Sequence, residues 1–288
     1  MKITRRNFLK ATGLAAACAS LNLSLTACGG NKGFEIAVPN DPTNEARALM
    51  LLEANGIIIL KEGVSITATK NDIAENPYNI TIHEVEAAQL PNHLKSVDYA
   101  VINSNYAIAA GINPMEKALT MEGADSPYVN ILVAKTGNEN EPKIKALAAA
   151  LSSKAVADYI TDTYGGAVVS TVENPGDGYD ASIDYAALSG VTVSCACSPA
   201  PHAEILEIAS GILAAKDITL DIQEFDDYIV PNTVVDEGKV DTNYFQHQSY
   251  LDEFNASHGT KLSTVVGVHV EPLGIYGGKQ TSLDALKK

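Results

Sequence analysis

Short strand-like segments alternate with helical patterns along nearly the whole chain after residue 33. The first pair is a strand at 34–38 and a helix from Thr43 to Ala54, with Asp41 as the N-cap, Pro42 at the first helical position and Asn55-Gly56 as the stop. Such alternation favours parallel sheets covered by helices. Roughly 260 residues follow the N-terminal segment, which is enough for two α/β lobes of ~100–150 residues each.

The same alternation continues to the C-terminus, with no internal repeat at a fixed period. Segment 126–135 is expected to be a strand that carries the chain from one lobe to the other, and residues 171–189, rich in Gly, Asp and Pro, are predicted to form a flexible linker. The other predictions are strands at 80–85, 98–102, 191–194, 220–225 and 265–276, and helices at 141–152, 153–164 and 198–215.

The N-terminus has the pattern of an export signal. Arg5-Arg6 form a twin-arginine pattern, and the apolar stretch Ala11–Leu25 is too short to span a bilayer as a mature helix. Leu25–Cys28 resembles a lipobox. We therefore predict a signal peptide at 1–27, lipid modification (palmitate) of Cys28 and a tether at 28–32, with the choice between the Tat and Sec routes left open. No later window reaches ~18 apolar residues, so membrane contact is expected only through the lipid.

Charge narrows the partners of the mature chain. The formal net charge is −15, and removing the four cations of residues 1–27 leaves about −19. This balance disfavours nucleic acid and anionic membrane as partners. One arginine, Arg47, remains beyond the signal, just inside a predicted helix N-terminus. A guanidinium there suits binding of a carboxylate or phosphate, and the alternative is a solvated surface arginine.

Two cysteines, Cys195 and Cys197, remain once Cys18 leaves with the signal and Cys28 is acylated. We interpret both as small core residues. A zinc site would need more ligands, because His202 is the only one nearby in sequence. A secreted hydrolase using either thiol with His202 or His247 stays as an alternative, although no nucleophile motif or orienting carboxylate supports it.

Polar and aromatic residues follow several predicted strands, at the sheet edge where open α/β folds bind ligands. Taken singly, each aromatic could be a core residue, the histidine a surface residue and each asparagine a turn residue. The residues are Asn103, Asn130, Tyr228, Phe245, His247 and Tyr250.

Taken together, six runs resemble the NlpA/MetQ family, the methionine-binding lipoproteins of ABC importers. They are Val-Pro-Asn-Asp-Pro-Thr-Asn-Glu-Ala-Arg (38–47), Ala-Ala-Gln-Leu-Pro (87–91), Ser-Pro-Tyr-Val-Asn (126–130), Pro-His-Ala-Glu-Ile-Leu (201–206), Asn-Tyr-Phe-Gln-His (243–247) and Glu-Pro-Leu-Gly-Ile-Tyr (271–276). In the family, the block with the Pro-His-Ala-Glu motif comes first. The chain therefore resembles a circular permutant, with the old termini joined through 171–189 and new ones opened between Lys288 and Gly33.

The resemblance implies a two-lobed type II periplasmic-binding-protein fold with hinge strands and a cleft between the lobes. One lobe would comprise 33–128 plus 277–288, and the other 129–276. Arg47 would pair with the ligand carboxylate, Asn103 and Asn130 would bind the amino-acid head group, and Tyr228, Phe245, His247 and Tyr250 would wall the side-chain pocket.

The implied function is delivery of L-methionine, or a close analogue, to the permease and ATPase subunits of an ABC importer. The protein would be anchored at the outer face of the cytoplasmic membrane, with no catalysis, cofactor or metal. Alternatives are another small amino acid or a methionyl dipeptide as ligand, or a surface adhesin or sensor without a permease.

Overall fold

The computed structural model describes residues 33–123 and 126–287. The predicted signal peptide, its lipobox, Cys28 and the tether at 28–32 lie outside these residues. Within them, the chain forms two mixed sheets and one small two-stranded sheet. The strands are β1 Glu35–Pro39, β2 Ile59–Leu60, β3 Ile73–Glu75, β4 Thr81–Val85, β5 Tyr99–Ile102, β6 Ala118–Met121, β7 Val129–Lys135, β8 Val169–Ser170, β9 Thr192–Cys197, β10 Thr219–Glu224, β11 Thr242–His247, β12 Leu262–Val270 and β13 Gly274–Gly277.

Nine α-helices connect and cover the strands in the same described part of the chain. They are α1 Pro42–Ala54, α2 Leu90–His93, α3 Ser104–Ala109, α4 Pro114–Lys117, α5 Pro142–Leu151, α6 Lys154–Tyr164, α7 Glu204–Ala214, α8 Val230–Asp236 and α9 Gln248–His258. Among the described residues, no helix is long and apolar enough to cross a membrane.

The first sheet has the order β4-β1-β5-β13-β6, and the second has the order β10-β9-β11-β7-β12-β8. In each, three neighbouring strands are parallel, β4-β1-β5 and β10-β9-β11, and the remaining pairings are antiparallel. The expectation of parallel sheets is therefore right for two of the four strand pairings in the first sheet and for two of the five in the second. The mixed α/β class and the division into two lobes are confirmed.

Local signals place α1 where the sequence predicts it. The Asp41 carboxylate accepts a hydrogen bond from the backbone N–H of Asn44 at 3.0 Å, and Pro42 occupies the first turn, where a missing N–H costs nothing. The apolar face of the helix, with Leu49 and Leu52, is fully buried against the first sheet. Burial of each such side chain contributes about 1.5–3 kcal/mol.

The chain passes from one sheet to the other between β6 and β7 and again at 271–273, because β6 and β13 lie in the first sheet whereas β7 and β12 lie in the second. The prediction of one strand over 265–276 is wrong, since β12 and β13 belong to different sheets. Pro272, which has no N–H to donate to a ladder, stands at this break. The predicted lobe boundary after 276 is accordingly too late, because β13 pairs with β5 and β6.

The segment 171–189 is packed against the second lobe, so its interpretation as a flexible linker is wrong. The Tyr179 hydroxyl donates a hydrogen bond to the carbonyl of Ile212 at 3.1 Å, and Gly176 accepts one from the backbone N–H of Lys154 at 2.8 Å. Gly178 has φ +96°, and a Cβ there would lie 2.8 Å from the Ile212 side chain. Turn-forming residues here bend the chain tightly around α7.

Candidate functional site

A small cavity of about 20 Å³, lined by residues of both lobes, lies between the two sheets. All seven ligand-binding residues predicted by the resemblance line it, and they come from both lobes. Arg47 lies on α1 and Asn103 follows β5, whereas the second lobe provides Asn130, Tyr228, Phe245, His247 and Tyr250. Sequence reasoning missed five further lining residues: Asn44, Ser104, Asn105, Gln246 and Glu271.

Arg47 is buried and already paired within the protein. Its Nε donates to Glu122 Oε1 at 2.9 Å and its Nη2 to Glu122 Oε2 at 2.5 Å, a bidentate pair in which both side chains are 4 % exposed. Nη2 also donates to the Glu271 carbonyl at 2.8 Å, and the guanidinium carbon lies 4.2 Å from the Tyr128 ring centroid. Burial disfavours the charge, but Glu122 outweighs it and raises the pKa of Arg47. The surface-arginine alternative is wrong.

The pair also joins both crossings between the sheets. Glu122 opens the first crossing, and its Oε2 accepts the backbone N–H of Leu273 in the second crossing at 3.0 Å. The Glu271 carbonyl bound by Arg47 stands at the start of that second crossing. One guanidinium therefore contacts the cavity and both interlobe segments.

Three aromatic residues, Tyr228, Phe245 and Tyr250, form an aromatic wall of the cavity. The Tyr228 ring lies 5.7 Å from Phe245 and 5.8 Å from Tyr250, within the range of favourable aromatic pairs. The Tyr228 hydroxyl bonds Asn105 Oδ1 at 2.8 Å, and the Tyr250 hydroxyl donates to the Tyr228 carbonyl at 3.0 Å. These hydrogen bonds fix the rings, so the wall is preformed.

A buried polar network lies behind Asn130. His269 Nε2 lies 2.8 Å from Glu271 Oε1, and its Nδ1 is hydrogen-bonded to the Tyr244 hydroxyl. His202 Nε2 lies 2.9 Å from Asn130 Oδ1 and 3.3 Å from Glu271 Oε1. Because a carboxylate only accepts, both imidazoles present Nε2–H to Glu271. His202, His269 and Glu271 offer ligand atoms within 4.8 Å of one another, and these hydrogen bonds account for that arrangement.

Burial sets the protonation states at the cavity. It lowers the pKa of His202 and His269 to about 3, with the Glu271 charge opposing at His202. Burial, and then the Arg47 charge, lower the pKa of His247 to about 3. Burial raises the pKa of Glu271, while His202 and Arg47 oppose the shift. The histidines are therefore neutral at neutral pH.

The two cysteines are fully buried free thiols in the core of the second lobe, as predicted. Burial raises the pKa of Cys195 to about 12 and that of Cys197 further still. A thiol nucleophile needs the thiolate, so the structure disfavours a thiol hydrolase.

We expect neither thiol to react with a disulfide reagent such as DTNB in the native protein, and both to react in denaturant. Absorbance at the thiolate product's wavelength measures the reaction. Rapid native labelling of either cysteine would contradict the burial described above.

The two lobes enclose a cavity lined by a cation, amides, a carboxyl and aromatic rings, which is a two-lobed α/β architecture with the lining typical of a small-molecule site. The chain belongs to the NlpA lipoprotein family, whose model matches residues 26–172 and 193–288. A twin-arginine translocation signal matches residues 2–21, in agreement with the predicted export signal.

Relatives with curated names match half of the chain. Membrane lipoprotein TpN32 of Treponema pallidum is 44% identical over 138 residues, 48% of this chain and 52% of that protein. D-methionine-binding lipoprotein MetQ of Salmonella typhi is 42% identical over 139 residues, 48% and 51% respectively. The chain spans about half the length of the curated relatives it matches.

Among solved structures, a nutrient binding protein from Burkholderia cenocepacia bound to methionine is 44% identical, with a TM-score of 0.46 over 47% of this chain and 57% of that chain. The methionine-binding protein MetQ is 40% identical, with a TM-score of 0.45 over 46% and 56%.

Proposed function

We propose that this protein is an exported, lipid-anchored solute-binding protein that binds L-methionine, or a close analogue, between its lobes and delivers it to an ABC permease and its ATPase. The observation that carries the proposal is the convergence of all seven predicted residues on one cavity. No chemistry is done on the ligand, and no cofactor or metal takes part.

Polar groups of opposite character suit the head group of a zwitterionic amino acid. Glu122 occupies Nε and Nη2 of Arg47, which leaves the Nη1 edge for the ligand carboxylate. Asn103 Oδ1 is buried and has no hydrogen-bond partner within residues 33–123 and 126–287, and it is the acceptor that an ammonium needs. Asn130 and the Glu271 carboxyl complete this side of the cavity.

The aromatic wall suits a thioether side chain. Sulfur over or beside an aromatic ring contributes ~0.3–1.5 kcal/mol per contact, and the rings of Tyr228, Phe245 and Tyr250 offer several such contacts.

Ligand binding would close the lobes on their hinge. A ligand held by Arg47 on one lobe and by rings on the other interacts best when both are close together, so it shifts the population toward the closed state. The contact of Arg47 with both crossings supports this coupling.

The N-terminal pattern supports the location that we propose, the outer face of the cytoplasmic membrane with Cys28 lipidated. The chain's negative charge supports a membrane contact through the lipid alone.

We also propose that the chain order is circularly permuted. The two ends of the described chain lie together in the first lobe, where Phe34 and Leu286 pack in the same core cluster and the Tyr99 hydroxyl donates to the Ser282 carbonyl at 2.9 Å. Alignments that cover about half of each relative are what a permuted order produces. Segment 171–189 would then join the old termini. It overlaps residues 173–192, which the family model does not match.

We expect calorimetric titration of the chain beginning after Cys28 to show saturable 1:1 binding of L-methionine. D-methionine, a methionyl dipeptide and alanine define the ligand range. Alanine should bind weakly, because it leaves the aromatic wall without a partner. No binding of any methionine compound would refute the proposal, and tighter binding of the dipeptide would redirect it.

A further inference from the structure

We propose that Asp41 and Asn44 are positioning residues that make Asn103 present its oxygen to the cavity, so that the site selects a ligand bearing a hydrogen-bond donor there. This inference rests on the proposed function. Neither Asp41 nor Asn44 was predicted as a site residue. We call the hydrogen-bonded series Asp41–Asn44–Asn103 the amide relay.

An asparagine amide does not by itself decide which of its ends faces a ligand. Rotation by 180° exchanges the oxygen, an acceptor, with the NH2, a donor, at almost no change in shape. A site that distinguishes an ammonium from a carbonyl therefore needs neighbouring groups that fix the orientation of the amide.

The relay begins at a group that can only accept. Asn44 Nδ2 lies 2.9 Å and 3.1 Å from the two carboxylate oxygens of Asp41. The Asn44 backbone N–H and the Thr43 hydroxyl donate to the same carboxylate. Because Asp41 offers no donor, Asn44 must turn its NH2 toward it and its Oδ1 away.

Asn44 Oδ1 in turn orients Asn103. Asn103 Nδ2 donates to it at 2.8 Å, and the two amides are 2 % and 6 % exposed. With its NH2 committed, Asn103 is left with Oδ1, which is buried and has no partner among the described residues. The Asn103 side chain makes no capping bond to α3, so α3 does not compete for it.

His247 supports the same orientation from the other lobe. Its Nδ1 accepts the backbone N–H of Tyr250 at 3.3 Å, so the neutral ring carries its proton on Nε2. That Nε2 lies 3.5 Å from Asn44 Oδ1 and points a second donor at it. If the Asn44 amide were reversed, its NH2 would face the NH2 of Asn103 and the Nε2–H of His247. Both hydrogen bonds would then be lost.

An oxygen held in this orientation raises the affinity for a ligand with an ammonium at this position and lowers it for a ligand with an acceptor there. A buried polar atom left unpaired costs about 1–3 kcal/mol, or a factor of about 5 to 100 in affinity. L-methionine and its 2-oxo acid differ at this one position, since the first offers only donors and the second only an acceptor. Their affinity ratio therefore reports the relay.

We expect Asp41→Asn to lower the ratio of affinities for L-methionine over 4-methylthio-2-oxobutanoate by about 5- to 100-fold. Asparagine remains a good N-cap, but its amide can both donate and accept. It therefore no longer fixes the orientation of the Asn44 and Asn103 amides. The ratio is measured by calorimetry on the full mature protein. Asp41→Asn/Asn103→Asp, which restores an acceptor to the cavity, should recover the preference.

Two controls separate the relay from simpler effects. Asp184→Asn removes a carboxylate that caps residues 185–188 away from the cavity, and it should leave the ratio unchanged. The loss in Asp41→Asn should persist at about 1 M ionic strength, where a through-space charge effect is screened. If Asp41→Asn folds poorly, Asp41→Ser, which also caps a helix, serves in its place.

The outcomes are distinct. Methionine binding by the parent with an unchanged ratio in Asp41→Asn would overturn the relay and leave the proposed function standing. A loss that disappears at high salt would also overturn it. Absence of methionine binding by the parent would overturn both.

Discussion

Arg47→Met is expected to remove tight methionine binding and to destabilise the protein by about 3–5 kcal/mol. The stability loss arises because Glu122, 4 % exposed, would be left as a buried charge without its bidentate partner. The binding loss arises because no other arginine follows the signal segment. Loss of a buried, hydrogen-bonded charge pair to the ligand costs about 2–5 kcal/mol, at least a 30-fold loss of affinity. Urea unfolding and calorimetry measure the two effects.

The double variant Arg47→Met/Glu122→Gln separates them. Removing both charges abolishes the uncompensated carboxylate, so we expect most of the stability to return while binding stays lost. Lys143→Met is the matched control, because its pair with Asp241 is half-buried and outside the cavity. That variant should lose little stability and no affinity. Full affinity in the double variant would show that Arg47 serves the fold alone.

The pairing of Arg47 shows where prediction from sequence succeeds and where it stops. Local signals such as the Asp41 cap and Pro42 predicted α1 to within a residue, because a helix start depends on neighbours a few positions away. Glu122 lies 75 positions from Arg47 in the chain, and no local pattern connects them. The sequence therefore predicted a carboxylate for Arg47 without revealing that the protein supplies one itself.

The break between β12 and β13 has a similar explanation. The segment 265–276 is mostly apolar, and Glu271-Pro272 is the local sign of a break. That the two halves enter different sheets depends on their pairing with β7 and β5, which is a tertiary choice. Glu271 lies at this crossing and lines the cavity. A carboxylate directly before a proline, at the end of an apolar strand, is the sequence signal that could have identified it as a site residue.

The resemblance, rather than periodicity, brought the aromatic wall into the prediction. Read alone, Tyr228, Phe245 and Tyr250 fit core positions equally well, and all three indeed pack together. Phe245 lies on β11 and Tyr250 on α9, and the sequence analysis predicted neither element. The amide relay was missed for the same reason, since its direction is set by contacts between α1, the end of β5 and β11.

Acidification is expected to destabilise the protein steeply from pH 6.5 toward about pH 3. Burial lowers the pKa of His202, His247 and His269 to about 3 in the folded state, against about 6.5 when unfolded. In this window the unfolded chain binds more protons, so the stability present above pH 6.5 is lost as pH falls. Each histidine contributes up to about 1.4 kcal/mol per pH unit to the slope of the unfolding free energy against pH. Near pH 5 the three histidines together contribute a slope equivalent to almost three protons.

Glu271 and Asp41 act in the opposite sense. Burial raises the pKa of both carboxyls in the folded protein, so their contribution is present below the unfolded pKa and is lost as pH rises through the folded value. Their opposition begins above the unfolded pKa of a carboxyl, about 3.9–4.3, and extends to each raised folded value, so it reduces the net slope within the histidine interval. Because three histidines outnumber two carboxyls, the unfolding free energy should still fall as the pH drops from 6.5 to about 5.

Urea unfolding at a series of pH values measures this slope, and single histidine variants assign it. His247→Gln removes one titrating ring while keeping a group that can donate toward Asn44, so the slope should fall by about one proton. A parent slope near zero between pH 6.5 and 5 would mean that the buried imidazoles gain their protons without unfolding. In that case the hydrogen bonds between His202, His269 and Glu271 would have to rearrange around a charged ring within the folded protein.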